Sequence, residues 1–80
     1  MSRARDVVEV VARALADRPD AVRVTERSHR GQTLIELSMG QGELGRVIGR
    51  QGRTAAAMRT LVSATTELEG ERATLEFRDG

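Results

Sequence analysis

The chain has 80 residues, with thirteen basic and twelve acidic side chains, one aromatic, one histidine, no cysteine and a formal net charge of +1. That length bounds it to one domain near the lower end of what folds without staples. The missing cysteines exclude disulfides, thiolate metal sites and a cysteine nucleophile. No apolar run approaches the roughly 20 residues that cross a bilayer, and no secretory apolar segment opens the chain, so the expected setting is cytoplasmic, without a membrane partner.

In chain order, Ser2 to Asp17 is predicted as an amphipathic helix. Ala4, Val7, Val8, Val11, Ala14 and Leu15 recur at helical spacing, and Ser2 stands as the cap. Arg18-Pro19-Asp20 ends it. Val22 and Val24 alternate with Arg23 and Thr25 in a short strand. Ser28-His29-Arg30-Gly31-Gln32 supplies a turn, and Ile35, Leu37 and Met39 alternate with Glu36 and Ser38 in a second strand that closes an antiparallel hairpin. His29 reads as a solvated turn residue, because no second histidine exists to complete a metal or acid–base site.

Gly40 to Gly42 breaks the pattern, and Glu43 to Ile48 is predicted as a short helix bearing Leu44, Val47 and Ile48. After Gly49-Arg50-Gln51-Gly52, Arg53 to Leu68 forms the longest helix, with Met58, Leu61, Val62, Thr65 and Leu68 as its inner stripe. Gly70 ends it, and Ala73, Leu75 and Phe77 mark a last strand before a frayed Asp79-Gly80 tail. The order α-β-β-α-α-β predicts an α+β domain over residues 1–80, its ordered core about 2–78, with three helices on one face of a three-stranded sheet.

The segment Val47-Ile48-Gly49-Arg50-Gln51-Gly52-Arg53 carries the functional signal. Two glycines let the backbone turn sharply and approach another molecule closely. The helix that follows opens with unpaired amides and the positive end of its dipole. With Arg50 and Arg53 beside it, this is the outline of a phosphate clamp. Charge distribution agrees: between Glu43 and Arg59 stand four arginines, Arg46, Arg50, Arg53 and Arg59, against one glutamate. The plain alternative, a tight helix–helix turn without a ligand, leaves the arginines and the apolar lead-in unexplained. Val47 and Ile48 point about 100° apart on a helix, so one is expected in the core and the other on a groove. Gln51 is expected either as a solvent-exposed turn amide or against a base edge or phosphate, while Arg46 and Arg59 are lesser candidates, as phosphate contacts at the groove edge or as plain surface.

Phe77 is the only aromatic residue, so the chain cannot build the stacking platform of RRM, OB-fold or cold-shock modules. Gly40-Gln41-Gly42-Glu43-Leu44-Gly45 matches the GxGxxG dinucleotide fingerprint, with Glu67 downstream as the acid. Its context fails, because the preceding strand belongs to a hairpin and 80 residues cannot hold a doubly wound fold. Gly45 is expected instead to let the short helix pack closely. Carboxylates are scattered among arginines, and Ser28, Ser38 and Ser63 have no base beside them, so the chain is read as a non-enzyme without cofactor or metal.

A GXXG loop joining the second and third helices in this element order resembles a type II KH domain. Leu44-Gly45-Arg46-Val47-Ile48-Gly49-Arg50-Gln51-Gly52-Arg53-Thr54-Ala55, the N-terminal helix and the Arg18-Pro19-Asp20 turn resemble the bacterial KhpA (YlqC) family. The resemblance implies a cytoplasmic single-stranded RNA-binding protein acting as an RNA chaperone or post-transcriptional regulator. It also implies a larger KH partner of the KhpB (Jag/EloR) type and a link to cell elongation and envelope homeostasis. On this reading Gly49 to Arg53 hold the phosphates, and Val47 or Ile48 with Ala55 lines the base groove. Ala55 stands where KH domains often carry isoleucine, which implies a shallower wall. Gly40-Gln41-Gly42-Glu43 stands where relatives commonly carry a proline and acidic residues.

The long helix is apolar around more of its circumference than one stripe needs. Ala55, Met58, Val62 and Thr65 form one row, and Ala57, Leu61, Ala64 and Leu68 a second beside it. A two-layer domain buries one row, so the other is expected to meet a neighbour unless the first helix covers both. The expected assembly is a homodimer, or a heterodimer with the larger KH protein, through Ala57, Leu61, Val62, Ala64 and Leu68. The competing function is a dimerising adaptor whose partner supplies most of the RNA affinity.

Overall fold

Ser2 caps the first helix, its Oγ accepting the Arg5 amide at 3.1 Å. In the computed structural model, which describes residues 2–79 with the side chains of Arg50 and Asp79 left aside, α1 (Arg3–Leu15) is followed by a 3₁₀ turn at Pro19–Ala21. Strands β1 (Arg23–His29) and β2 (Gln32–Met39) come next, then α2 (Leu44–Ile48), a second short turn at Arg50–Gly52, α3 (Arg53–Leu68) and β3 (Arg72–Asp79). Ser2 also fastens α1 to β1. Its amide donates to Glu26 Oε1 at 3.1 Å and its hydroxyl to the same oxygen. That hydroxyl, helped by the amide against partial burial, holds the Glu26 carboxyl below the usual carboxylate range.

The two-residue turn Arg30-Gly31 has positive φ at both positions, 50° and 76°, as a tight hairpin connection demands. It sets the antiparallel register His29 to Gln32 through Arg23 to Ser38. His29 therefore ends β1, exposed, instead of lying in the turn. Strand β3 pairs parallel to β2, with Ile35 beside Leu75 and Leu37 beside Phe77, giving the order β1-β2-β3. Parallel pairing needs a long crossover, and α2, the turn and α3 supply it. Asp79 pairs with Met39 inside β3, so the expected tail is strand at that position, and Gly80 lies outside the described residues.

All three helices lie on one face, as the α+β reading requires. The core joins Ala4, Val8 and Ala12 of α1 to Ile35, Leu37 and Met39 of β2, Leu75 of β3, and Met58 and Val62 of α3. Ile35 and Leu37 are fully buried, worth about 1.5–3 kcal/mol each in transfer. On the open face one Glu36 carboxylate bridges the edges, to Arg27 at 2.8 Å and Arg78 at 3.0 Å.

The inner row of α3 is Ala55, Met58, Val62 and Thr66. Spacings of three, four and four follow the helical period, and that period carries Leu61 and Leu68 to solvent, 47 % and 87 % exposed. Thr66 replaces the expected Thr65, because the buried row steps four residues from Val62 to Thr66, and its hydroxyl, turned back to the Val62 carbonyl at 2.9 Å, enters the core satisfied. On α1, Ala12 takes the buried position expected of Ala14 and Leu15. Gly70, at φ 71°, ends α3 in a Schellman motif, its amide reaching Glu67 O while that of Glu71 reaches Thr66 O.

Candidate nucleic-acid interface

Helix α2 has five residues, too few to hold itself by its own hydrogen bonds. Val47 anchors it in the core at 0 % exposure, and Ile48, next in the chain, is 37 % exposed. The adjacent pair divides as the helical angle requires. Val47 is thereby removed from the groove wall, and Ala55, at 4 % exposure, adds almost nothing to it. Of the three, Ile48 is the apolar side chain left at the surface.

Gly49 ends α2 at φ 74°, ψ 176°, with its amide donating to Gly45 O at 2.9 Å. A Cβ there would sit 2.5 Å from Thr54 Oγ1 and 2.9 Å from Thr54 Cβ, so only glycine lets the first turn of α3 close beneath the loop. Gln51 is left-handed at φ 58°, ψ 24°, an uncommon conformation for a non-glycine residue. Gly52 follows at φ 70°, ψ 15° as the cap of α3. Its amide reaches back to Gly49 O at 3.3 Å. Among the described residues no side chain caps α3 and no acid occupies its first turn, so the positive end of the helix is unneutralised at the loop mouth. Arg53 stands exposed there, donating to Gln51 Oε1 at 3.2 Å. The Arg50 side chain lies outside the described residues.

The two lesser candidates are engaged elsewhere. Arg46 pairs with Asp17 at 2.8 Å, both exposed. The Arg59 guanidinium lies 5.0 Å from the centroid of the Phe77 ring, within cation–π range. Of the residues expected at a protein contact, Ala57, Leu61, Ala64 and Leu68 are exposed on α3, whereas Val62 is 1 % exposed and belongs to the core.

Sequence reasoning missed Glu43. Its carboxylate is buried at the entrance to α2, where Oε1 accepts the Asp17 amide at 2.6 Å and the Arg18 amide at 3.0 Å, and Oε2 faces Arg18 Nε at 3.3 Å. Burial works to raise this carboxyl, but the amides of Arg18 and Asp17 and the Arg18 guanidinium outweigh it and hold it below the ordinary range. An acid opening a short helix was the available signal; its burial was not. The same contacts explain the GxGxxG match. A Cβ on Gly40 would meet Arg18 Nη2 and Glu43 Oε2, each at 2.6 Å, so this glycine makes room for protein side chains. Gly45 does not permit close packing as expected, since a Cβ there meets no described atom within 4 Å.

A GXXG turn between two helices, inserted between parallel strands of an α-β-β-α-α-β domain, defines a KH domain of type II. Residues 5–77 match the family described as KhpA/KhpB, KH domain, and the chain belongs to that family. It is 46 % identical over 77 residues to "RNA-binding protein KhpA" of Aquifex aeolicus, covering 96 % of this chain and 98 % of that one. It is 44 % identical over 72 residues to the protein of the same name from Caldanaerobacter subterraneus, covering 90 % and 96 %. The family is non-enzymatic, in agreement with the reading of the sequence. In fold, the chain is similar to Aquifex aeolicus Era, at a TM-score of 0.64 and 19 % identity, over 95 % of this chain and 29 % of that one.

Proposed function

We propose that this chain binds single-stranded RNA through residues 49–52. The observation that carries the reading is the tight turn with positive φ at Gly49, Gln51 and Gly52, opening directly onto the uncapped start of α3. Its relatives bear the name RNA-binding protein KhpA. Phosphates meet the loop amides, Arg53 and Arg50, while about four bases run along Ile48, as in KH recognition generally. A role as RNA chaperone or post-transcriptional regulator, with a KhpB (Jag/EloR)-type partner in cell elongation and envelope homeostasis, rests on the family alone. Changing Arg50 and Gln51 together to aspartate puts two anions where phosphates sit. Fluorescence anisotropy with a short labelled single-stranded RNA is expected to show affinity falling at least tenfold, with an unchanged circular dichroism spectrum. Unchanged affinity in that folded variant refutes the clamp.

A second reading, that dimerisation is the main activity, draws on the exposed row Ala57, Leu61, Ala64 and Leu68. Two loops in one particle would also raise the weak affinity of each. Light scattering at micromolar concentration is expected to give about twice the chain mass, and Leu61→Lys to return it to monomer. Val62 is not a useful probe, since a lysine there enters the core. A dimer with negligible RNA affinity would favour the adaptor.

A further inference from the structure

Helix α2 is set in place by very little of its own. One turn and a half long, it buries one side chain fully, Val47, packs Leu44 partly against the core, and carries no side-chain cap at its start. Beyond the partly buried Leu44, its apolar contacts do little to resist a tilt about Val47. What prevents the tilt lies at its entrance. Glu43 binds the backbone of Asp17 and Arg18 through Oε1, and Arg18 through Oε2. Arg18 Nη2 then crosses to Gln41 O at 2.9 Å, and from α2 itself Arg46 returns to Asp17 at 2.8 Å. The segment from Gln41 to Arg46 is thus stitched to Asp17 and Arg18, just past the Ala16 cap of α1. Gly40 completes the fit, because any Cβ would occupy the space of the Arg18 and Glu43 termini.

We propose that Glu43 is a positioning residue for the GXXG loop: by fixing α2 to the Asp17-Arg18 backbone it sets where Ile48 and Gly49 stand. The lever is short and direct. At a rise of about 1.5 Å per residue, Glu43 stands about 6 Å before Val47 and Gly49 about 3 Å beyond it, so a 10° tilt about Val47 turns the loop entrance by that angle and moves it by about 0.5 Å. A rotation and shift of that size reach the tolerance, about 0.5 Å and 10–20°, within which a preorganised site must be held. The carboxylate suits the task better than an apolar anchor, because its two oxygens take three directional donors and define an orientation as well as a position.

The consequence for RNA rests on the clamp reading above, but the positioning itself is measurable without RNA. Glu43→Gln weakens the latch from the acid side. Gly40→Ala wedges it from the other, and no positive φ at Gly40 adds strain. In amide-resolved NMR of the free protein, both variants are expected to shift the Gly49 and Gly52 resonances and to speed exchange of the Gly49 amide, bonded to Gly45 O, at least fivefold. Strand amides should stay in place, and affinity for a short labelled single-stranded RNA should fall about fivefold. If Glu43→Gln does not fold, Gly40→Ala and Arg18→Ala, the latter at a largely exposed side chain, carry the same test. A lower melting temperature with unmoved Gly49 and Gly52 resonances makes Glu43 a stabilising residue only and overturns the proposal. Loop shifts as expected in a protein whose wild type binds no RNA uphold the positioning and sink the RNA reading instead.

Discussion

Two glycine loops flank α2, and they use glycine for opposite ends. The loop at 40–42 is closed. Arg18 and Glu43 press on Gly40, and the carboxylate and the guanidinium between them satisfy the neighbouring amides and the Gln41 carbonyl. The loop at 49–52 is open on its outer side. Thr54 presses on Gly49 from within, but Gln51 is exposed and the start of α3 has no side-chain cap among the described residues. Glycine spacing alone does not mark a binding loop, since the closed loop also matches a known glycine fingerprint, GxGxxG. What marks it is whether the protein's own side chains have already answered the backbone groups that the turn exposes.

That contrast can be broken most sharply at Gly49. Gly49→Ala forces an alanine into φ 74°, ψ 176°, a region essentially kept for glycine and costing about 1–3 kcal/mol, and adds a clash with Thr54 of about the same size. A loss of about 3 kcal/mol, or more than 10 °C in melting temperature for a domain of this size, is expected by thermal denaturation. Gly52→Ala, in the left-handed region at φ 70°, ψ 15° and with open space around it, should lose only about 1–2 kcal/mol. Equal losses at the two positions would show that Thr54 does not support the loop from within.

The closed loop is tested by acid. Glu43 and Glu26 both titrate below their ordinary 4.5 in the folded chain. The folded state therefore binds these protons less readily than the unfolded one. Their stabilising effect is complete above the ordinary value and fades as the pH falls through the lowered folded values. Melting temperature is expected to be flat from neutrality to about pH 5.5 and to fall below about 4.5, less steeply in Glu43→Gln. A chain that gains stability between pH 5 and 3 would contradict the closed-loop assignment. The smallest effect separates a third glycine from both loops. Gly45 lies inside α2 with free space around its missing Cβ, so Gly45→Ala is expected to raise stability by about 0.5–1 kcal/mol. A loss would show a close contact at that position.

Much of this was legible along the chain. Alternation in β2 and β3, the Ser2 cap, the Gly70 stop and the GXXG between two helices are local patterns, each decided by residues within a turn or two. Locality is why element order and family could be read without coordinates. The parallel partnership of β3 with β2, the division of α3 into a buried row ending at Thr66 and an exposed one holding Leu61 and Leu68, and the burial of Glu43 depend on residues more than twenty positions apart. Thr65 and Thr66 are equivalent by composition, and the face of α3 fixed by buried Ala55, Met58 and Val62 chooses between them. Glu43 is one acid among twelve until Asp17 and Arg18 arrive from the end of α1. Sequence determined where the backbone must turn; tertiary structure decided which turns close on the protein and which stay open, because that depends on side chains brought from elsewhere in the chain.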